Sequence, residues 1–266
     1  MATLSVIILT RNEQGNIEEC IKSLGTLPAQ IVVADSRSDD DTAALARALG
    51  AEVIEVDPQL GFGKKRRLAQ QHCTAQMVLH VDADERLTEA ARAELGRVLA
   101  HCDPQAAVVY ALPRLTYLFG RAIRHCGWYP DYVQRLYPRQ LTAYDEALVH
   151  EKLVLPPHCR VEHLTEPLLH YSYPEVTGFF HKQIRYALLW AQQRHEKGRR
   201  VSLISIPLRA LFSFIAVYFF KRGFLDGRSG LWLSSAIACY TCYKYLALRA
   251  LNAGSPAEVR HSDTTA

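Results

Sequence analysis

The chain has 266 residues, of which 49% are apolar and 22% are charged, and its formal net charge is +4. This length allows one large domain or one domain with an appendage, and the apolar content predicts a sizeable core and argues against disorder. A net charge this small argues against a general nucleic-acid binder. The local basic segments, residues 64–67 and 194–228, instead favour anionic partners such as phosphates or a lipid surface.

The cysteines and the N-terminal segment indicate the cellular compartment. Seven cysteines are scattered along the chain without the paired spacing of a metal site, so we expect reduced thiols in the cytosol. The first apolar run is six residues long and lacks both the basic segment and the small-residue cleavage site of a signal peptide. The sequence therefore predicts a cytoplasmic protein.

The first hundred residues alternate between short apolar runs and helical patterns. Strands are predicted at residues 4–9, 31–34, 51–56 and 77–81, and helices at about 16–24, 41–50, 63–73 and 88–100. Repeated strand–helix units predict parallel strands joined by right-handed crossovers. In such sheets ligands bind beyond the carboxyl ends of the strands, and polar residues follow three of these four strands directly.

The pattern changes after residue 102. Short strands are predicted at residues 106–115, 132–138 and 151–156, and helix dominates from residue 175, with an amphipathic segment at 174–197. Uncharged stretches of eleven and fifteen residues follow, at 210–220 and 229–243. Both are shorter than the roughly 18–20 residues that cross a bilayer.

The basic and aromatic residues around these stretches favour an interfacial helix pair or a shallow hairpin at a membrane surface. A buried helical hairpin in a soluble core or a dimer interface is the alternative. We therefore predict a catalytic domain over residues 1–172, divided into a donor half (1–102) and an acceptor half (103–172). Membrane-associating helices would follow over 173–252, and a disordered tail over 253–266.

Two carboxylates close the fourth strand, Asp82 and Asp84. Residues i and i+2 of an extended chain point to the same side, so the pair can share a divalent cation, or one can bind the cation and the other a ribose. The alternative is that these acids only start the following helix, because Asp is common in turns and at helix caps.

The polar residues at the neighbouring strand ends favour a ligand-binding role for Asp82 and Asp84 over helix capping. Thr10, Asn12 and Glu13 follow the first strand, and Asp35 and Ser38 follow the second. Asp35 could accept hydrogen bonds from a base or a ribose, or could cap the helix that starts at Asp41. The segment "GFGKKRR" supplies glycines and a basic helix start suited to a diphosphate, while dinucleotide and P-loop motifs are absent from the sequence. The pattern predicts a nucleotide diphosphate held with a metal across several strand ends.

The motifs "SVIILTRNE", "VVADSRSDDDT", "GFGKKRRLA", "VLHVDADE", "GWYPDYVQRLY", "LVHEKL" and "PLLHYSY", in this order, resemble glycosyltransferase family 2. The resemblance extends from Leu4 to about Leu248. It implies the GT-A fold, an α/β architecture with a Rossmann-like mixed sheet flanked by helices, here with a C-terminal apolar helical extension. It also implies a nucleotide-sugar donor, Mg²⁺ or Mn²⁺, and inverting displacement at the anomeric carbon.

Within this family, the motifs resemble those of the β-1,4-glucosyltransferases of the bacterial lipopolysaccharide inner core. That resemblance implies transfer of a hexose, glucose from UDP-glucose, to a heptose of a lipid-linked saccharide. The enzyme would work as a peripheral protein on the inner face of the cytoplasmic membrane. Transfer to a polyprenyl phosphate from the same donor site is the alternative.

The resemblance also implies roles for single residues. Asp84 would bind the metal, and Asp82 the metal or the ribose. Glu151 would be the catalytic base, with His150 beside it, while Asp145 and Glu146 remain candidates. A salt bridge of Glu151 with Lys152 or Arg160 is the structural alternative.

Two departures from the family pattern concern the basic residues. Many relatives carry Tyr at the position of Arg11, and many carry "KN" where Arg66 and Arg67 stand. We therefore assign the diphosphate to Lys64 and Arg66.

The segment "GWYPDYVQRLYPR" is expected to line the acceptor side. Trp128 and Tyr129 could stack on a sugar, and Arg135 could contact a diphosphate or an anionic acceptor. Core aromatics and a surface salt bridge are the alternatives. We interpret His170 and the third carboxylate, Glu85, as structural, the latter as a helix-start acid or a support for its neighbours.

Overall fold

The computed structural model describes residues 1–146, 151–173 and 175–254. The first part of the chain alternates strands and helices as the sequence predicts. Its elements are β1 (Leu4–Thr10), α1 (Ile17–Leu24), β2 (Gln30–Asp35), α2 (Thr42–Ala48), β3 (Glu52–Glu55), α3 (Phe62–Gln71), β4 (Met77–Asp82), β5 (Glu85–Leu87) and α4 (Glu89–His101). Thr88 caps α4, because its side chain accepts a hydrogen bond from the backbone N–H of Ala91 at 2.9 Å.

The second part contributes shorter strands and then helices. The strands are β6 (Val108–Leu118), β7 (Arg121–Ala122), β8 (Asp131–Pro138), β9 (Arg160–His163) and β10 (Leu168–Tyr173). The helices are α5 (Val176–Glu196), α6 (Ser205–Ile215) and α7 (Gly227–Asn252), with a π-helical segment (Ala216–Phe220) and a 3₁₀ turn (Gly223–Asp226) between the last two.

The strands form a mixed sheet in the order β3-β2-β1-β4-β8-β6-β10-β5, with β7 and β9 both paired to β6. The first four strands of this order are parallel, as predicted, whereas β8 pairs antiparallel with both β4 and β6. This mixed sheet flanked by helices confirms the predicted fold class. The polar ends of β1, β2 and β4 therefore meet at one edge of the sheet.

Alternating residues of β1 explain why most of the strand is apolar. Val6 and Ile8 pack in a cluster with residues of α1, α2 and α4, and Ile7 packs in a second cluster with Ala69 of α3. A strand covered by helices on both faces reads as a nearly continuous apolar run. The core thus fixes the position of the edge at which the polar residues gather.

One prediction of local structure was wrong. Residues 151–156 do not form a strand; the segment makes only an isolated bridge, between Tyr144 and Leu153. Of the two interpretations of Glu85, support for its neighbours fits the structure and a helix start does not, because Glu85 opens β5, which pairs antiparallel with β10. Asp41 stands at the N-cap of α2 without a side-chain capping bond, and Asp40 accepts from the backbone N–H of Thr42 instead.

The chain divides into two compact units. The first contains residues 1–115 and 131–170, and the second contains residues 116–130 and 171–266. The predicted acceptor half, 103–172, is thus shared between the units, because residues 116–130 group with the C-terminal helices. Within the second unit, α7 packs against both α5 and α6. No helix among the described residues has the length and apolar character needed to cross a membrane.

Candidate active site

Asp35 organises the loop that follows β2. Its carboxylate accepts hydrogen bonds from Thr10 Oγ1 at 2.9 Å and from the backbone N–H and hydroxyl of Ser38 at 2.9 and 2.5 Å. Ser38 Oγ in turn accepts from the backbone N–H of Asn12 at 2.9 Å, and Asn12 Oδ1 accepts from the N–H of Asp39 at 2.9 Å. The predicted polar residues of β1 and β2 therefore form one hydrogen-bonded rim.

Glu13 lies next to this rim and is partly buried. Its carboxylate accepts from the side-chain amide of Asn16 at 2.8 Å, and its backbone N–H donates to Thr42 Oγ1 at 2.8 Å. Burial raises the pKa of Glu13, with the amide of Asn16 opposing and the negative charge of Asp84 adding to the rise. The rim thus ends in a carboxylate that is easier to protonate than an exposed glutamate.

Asp82 lies between two buried arginines. Its Oδ1 accepts from Nη2 of Arg66 at 2.7 Å, and its Oδ2 accepts from Nη2 of Arg135 at 2.6 Å. Burial opposes ionisation of Asp82, but the charges of Arg135 and Arg66 outweigh burial and hold the pKa of Asp82 well below its usual range. Both carboxylate oxygens are therefore engaged by cations of the protein itself.

Glu85 completes this buried ion network. Its side chain has no solvent exposure, its Oε1 accepts from Nη2 of Arg135 at 2.8 Å, and its Oε2 accepts from the backbone N–H of Asp82 at 2.9 Å. Burial raises the pKa of Glu85, while Arg135 opposes the rise and Asp82 adds to it. Glu85 thus holds the backbone of Asp82 and shares Arg135 with it below the surface.

Arg66 connects the network to the predicted base. Its Nε donates to Oε1 of Glu151 at 3.1 Å, its Nη1 lies 3.3 Å from Nδ1 of His80, and its Nη2 binds Asp82. The guanidinium also lies 5.1 Å from the centre of the Tyr144 ring. All three nitrogens of Arg66 therefore have side-chain partners within the protein.

His80 extends this chain of hydrogen bonds into the core. It is fully buried, and its Nε2 lies 2.8 Å from the hydroxyl of Tyr137, which donates to Gln70 Oε1 at 2.8 Å. Because Arg66 can only donate, Nδ1 of His80 must accept and Nε2 must carry the proton. Burial, reinforced by the nearby arginine charges, holds the pKa of His80 well below its usual value, so the ring is neutral.

Asp84 has a different environment from Asp82. Its Oδ2 lies 3.3 Å from Nε2 of His170, a residue of β10, and its side chain is 29% exposed. An imidazole nitrogen and a carboxylate oxygen are both ligands that Mn²⁺ accepts. No group of three or more His, Cys, Asp or Glu side chains is arranged to hold a metal ion within the part of the chain that the structure describes. Sequence reasoning treated His170 as structural, because only strand pairing brings it to Asp84.

The remaining predicted residues have the following environments. Lys64 is exposed, and its Nζ lies 3.4 Å from Oε2 of Glu146. Arg135 is buried in the ion network, and its Nε has no hydrogen-bond partner among the described residues. Trp128 belongs to the second unit, where its ring centre lies 6.2 Å from that of Tyr173. Tyr129 belongs to the same unit. His150 lies outside the described residues.

This edge of the sheet combines an anchored polar rim, a strand-end Asp pair and a buried arginine network. Residues 5–150 match the family described as "Glycosyl transferase family 2", and the chain belongs to that family. It is therefore a glycosyltransferase with the GT-A fold, as the sequence predicted.

Named relatives agree with this assignment. The chain is 31% identical over 261 residues to the lipopolysaccharide core biosynthesis glycosyltransferase LpsC of Rhizobium meliloti, covering 93% of this chain and 90% of LpsC. It is 25% identical to an uncharacterized glycosyltransferase of Rickettsia felis, covering 93% of this chain and 89% of the relative. Lipopolysaccharide core biosynthesis is thus the process to which a named relative belongs.

Solved structures share parts of the fold at lower similarity. One is glucosyl-3-phosphoglycerate synthase of Mycobacterium tuberculosis, solved with Mn²⁺, UDP and glucosyl-3-phosphoglycerate. The alignment covers 76% of this chain and 82% of that one, with 17% identity and a TM-score of 0.47.

Proposed function

We propose that this glycosyltransferase is an inverting, metal-dependent enzyme that transfers glucose from UDP-glucose to a heptose of the lipopolysaccharide inner core. The observation that supports the donor site most directly is the meeting of the Asp35 rim and the Asp82–Asp84 strand end at one edge of the sheet. The relation to LpsC supports a lipopolysaccharide core acceptor. The lipid-borne acceptor would bring the enzyme to the inner face of the cytoplasmic membrane.

We assign the donor nucleoside to the rim. Asp35, supported by Thr10 and Ser38, would accept hydrogen bonds from the base or the ribose, and Asn12 would hold the loop that carries them. Lys64, which is exposed at the start of α3, would contact the diphosphate. Arg66 was the second predicted diphosphate ligand, but its three engaged nitrogens favour a positioning role.

We assign the divalent cation, Mg²⁺ or Mn²⁺, to Asp84 and His170, whose oxygen and nitrogen donors lie 3.3 Å apart. Asp82 was predicted as a second ligand, but its oxygens are already bound by Arg66 and Arg135. A bound cation would neutralise the charge that develops on the departing diphosphate. Two protein donors leave the remaining positions to phosphate oxygens and water, as is common for these ions.

We assign the general base to Glu151. Arg66 donates to Oε1 of Glu151 and so fixes the direction of the carboxylate, and Oε2 would take the proton of the acceptor hydroxyl. The deprotonated oxygen would then attack the anomeric carbon from the face opposite the diphosphate, which inverts the configuration. Asp145 and Glu146 precede Glu151 in the chain and remain the alternative bases.

The experiment that tests the proposal is a donor and acceptor panel. Purified enzyme with Mn²⁺ is given UDP-glucose, UDP-galactose or UDP-N-acetylglucosamine, together with heptose-terminated lipopolysaccharide or polyprenyl phosphate. We expect glucose transfer to the heptose, with a β linkage in the isolated product. Transfer to polyprenyl phosphate alone would replace the acceptor assignment, and an α linkage would overturn the inverting mechanism.

A further inference from the structure

The helix α6 is largely apolar, with Arg209 as its one charged residue, yet only one of its faces is buried. Ile206, on the buried side, is 1% exposed and packs in a cluster with Ala191 of α5 and Leu248 of α7. Val217, in the π-helical segment that follows, is 6% exposed and packs with Leu233 of α7. A helix of a soluble core is normally covered on its apolar sides, and the second face of α6 lacks such cover.

The second face carries large apolar side chains at helical spacing. Ile204, Leu208, Leu211 and Phe212 follow one another at intervals of four, three and one residues, which places them on one side of the helix. Their exposed fractions are 79%, 63%, 56% and 66%. An apolar stripe of this kind marks an interaction site rather than ordinary surface.

Further exposed apolar residues follow in the π-helical segment and the 3₁₀ turn. We call the following set the α6 surface: Ile204, Leu208, Leu211, Phe212, Phe219, Phe220, Phe224 and Leu225, all at least 46% exposed. It includes four phenylalanines. Exposed aromatic and aliphatic side chains are those that amphipathic helices insert at the boundary between lipid headgroups and acyl chains.

The segment of the chain that carries the α6 surface is strongly basic. Residues 197–254 contain nine Lys or Arg and one acidic residue, Asp226. The carboxylate of Asp226 accepts from the backbone N–H groups of Arg124 and His125 and lies 2.9 Å from Nδ1 of His125, so it is engaged within the unit. Lys221, Arg222 and Arg228 are exposed near the end of the surface. A basic border complements anionic headgroups.

We propose that the α6 surface binds the face of a bilayer that contains anionic phospholipids, with α6 lying in the plane of the membrane. The apolar side chains enter the headgroup and acyl boundary, and the basic residues contact lipid phosphates. The charge of the border favours this occupant over a second copy of the chain, since two copies would bring like charges together. The proposal adds a defined surface to the proposed function, but binding to the membrane requires neither donor nor acceptor.

The test is co-sedimentation of the full chain with vesicles, without nucleotide sugar. One set contains equal parts of phosphatidylglycerol and phosphatidylethanolamine, and the other contains phosphatidylcholine alone. We expect binding to the anionic vesicles that weakens as salt is added, because exposed charges are screened. Failure to bind the anionic vesicles would overturn the proposal.

Variants separate the contributions of the apolar and the charged residues to vesicle binding. Leu208→Ser combined with Phe220→Ser should weaken binding to anionic vesicles by at least about tenfold, because two large side chains no longer enter the lipid. Arg222→Gln combined with Arg228→Gln should weaken it by about fivefold or more and flatten the salt dependence. The matched control is Val154→Ser, an apolar residue of the first unit that is 59% exposed, which should bind like the wild type. Circular dichroism checks that each variant is folded.

Light scattering and donor hydrolysis separate membrane binding from chain pairing and from loss of the active site. If the Leu208/Phe220 variant binds vesicles as the wild type does, the α6 surface is not the membrane contact. If light scattering shows a wild-type dimer that this variant abolishes, and vesicle binding is absent, the surface pairs two chains. Hydrolysis of UDP-glucose by the same preparations reports on the active site, so a failure of the proposed function is visible independently of vesicle binding.

Discussion

Nη2 of Arg66 lies 2.7 Å from Oδ1 of Asp82, and the arginine side chain is 5% exposed. Through this contact α3 is tied to the end of β4, and through Nε of the same side chain it is tied to Glu151 at 3.1 Å. A single buried guanidinium therefore connects the strand-end Asp with the proposed base.

The burial of this contact makes Arg66 important for stability. Removing one partner of a buried ion pair leaves an uncompensated charge and costs about 3–5 kcal/mol. We expect Arg66→Ala to lower the free energy of unfolding by about that amount, as measured by urea denaturation.

Arg37 provides the matched control for this measurement. Its Nε lies 2.7 Å from Oε1 of Glu55, but both side chains are more than 60% exposed. Exposed pairs contribute less than about 1 kcal/mol, so Arg37→Ala should unfold at nearly the wild-type urea concentration. Equal losses for the two variants would show that the buried network does not stabilise the fold in this way.

Asp84→Asn should nearly abolish both hydrolysis of UDP-glucose and glucose transfer, because it removes the charged donor that we assign to the cation. His170→Gln should leave some activity and raise the Mn²⁺ concentration needed for half-maximal rate by about 10- to 100-fold, in the range found when contacts around a metal are lost. Asp103→Asn, in the loop after α4, is the control. An Asp84→Asn enzyme that remains active and resists EDTA would contradict the assignment of the cation to this residue.

Glu151→Gln should bind the donor normally but lose glucose transfer by about 100-fold or more, because an amide cannot accept the hydroxyl proton. Donor affinity is measured by calorimetry with UDP, and transfer by product formation. Glu146→Gln tests the alternative base, since that glutamate is 59% exposed and pairs only with Lys64 and Arg67 among the ion pairs of the described residues. If instead Glu146→Gln loses transfer and Glu151→Gln does not, the base is Glu146.

Gly63→Ala should lower both the melting temperature of the protein and the rate of glucose transfer. A Cβ at this position would lie 1.9 Å from the carbonyl oxygen of Asp145 and 3.3 Å from Cβ of Glu151, so the backbone that leads to the proposed base would have to move. Gly178→Ala in α5 is the control, because nothing lies within 4 Å of the added methyl group, and alanine there should be neutral or slightly stabilising. Both effects are read from thermal melting and from the transfer rate, and a Gly63→Ala enzyme that matches the control would show that this close approach is not needed.

The local sequence determined much of the secondary structure of the first hundred residues. Strand and helix periodicity predicted β1 to β4 and the helices between them, because the central strands β1 and β4 are buried on both faces and read as nearly continuous apolar runs. Parallel pairing then required the polar residues after β1, β2 and β4 to meet at one edge. That reasoning predicted the neighbourhood of Asp35 and Asp82, and the ordered motifs predicted the family.

The tertiary structure decided which of these residues are free to act. Asp82 and Asp84 are alike in sequence, but long-range partners distinguish them: two arginines, one from α3 and one from β8, bind Asp82, whereas His170 from β10 lies beside Asp84. Such partners are 16 to 86 residues away along the chain, and no local pattern encodes their distance in space. The same holds for α6: the sequence favours a helix at a membrane surface, and packing against α5 and α7 determines which of its faces remains exposed.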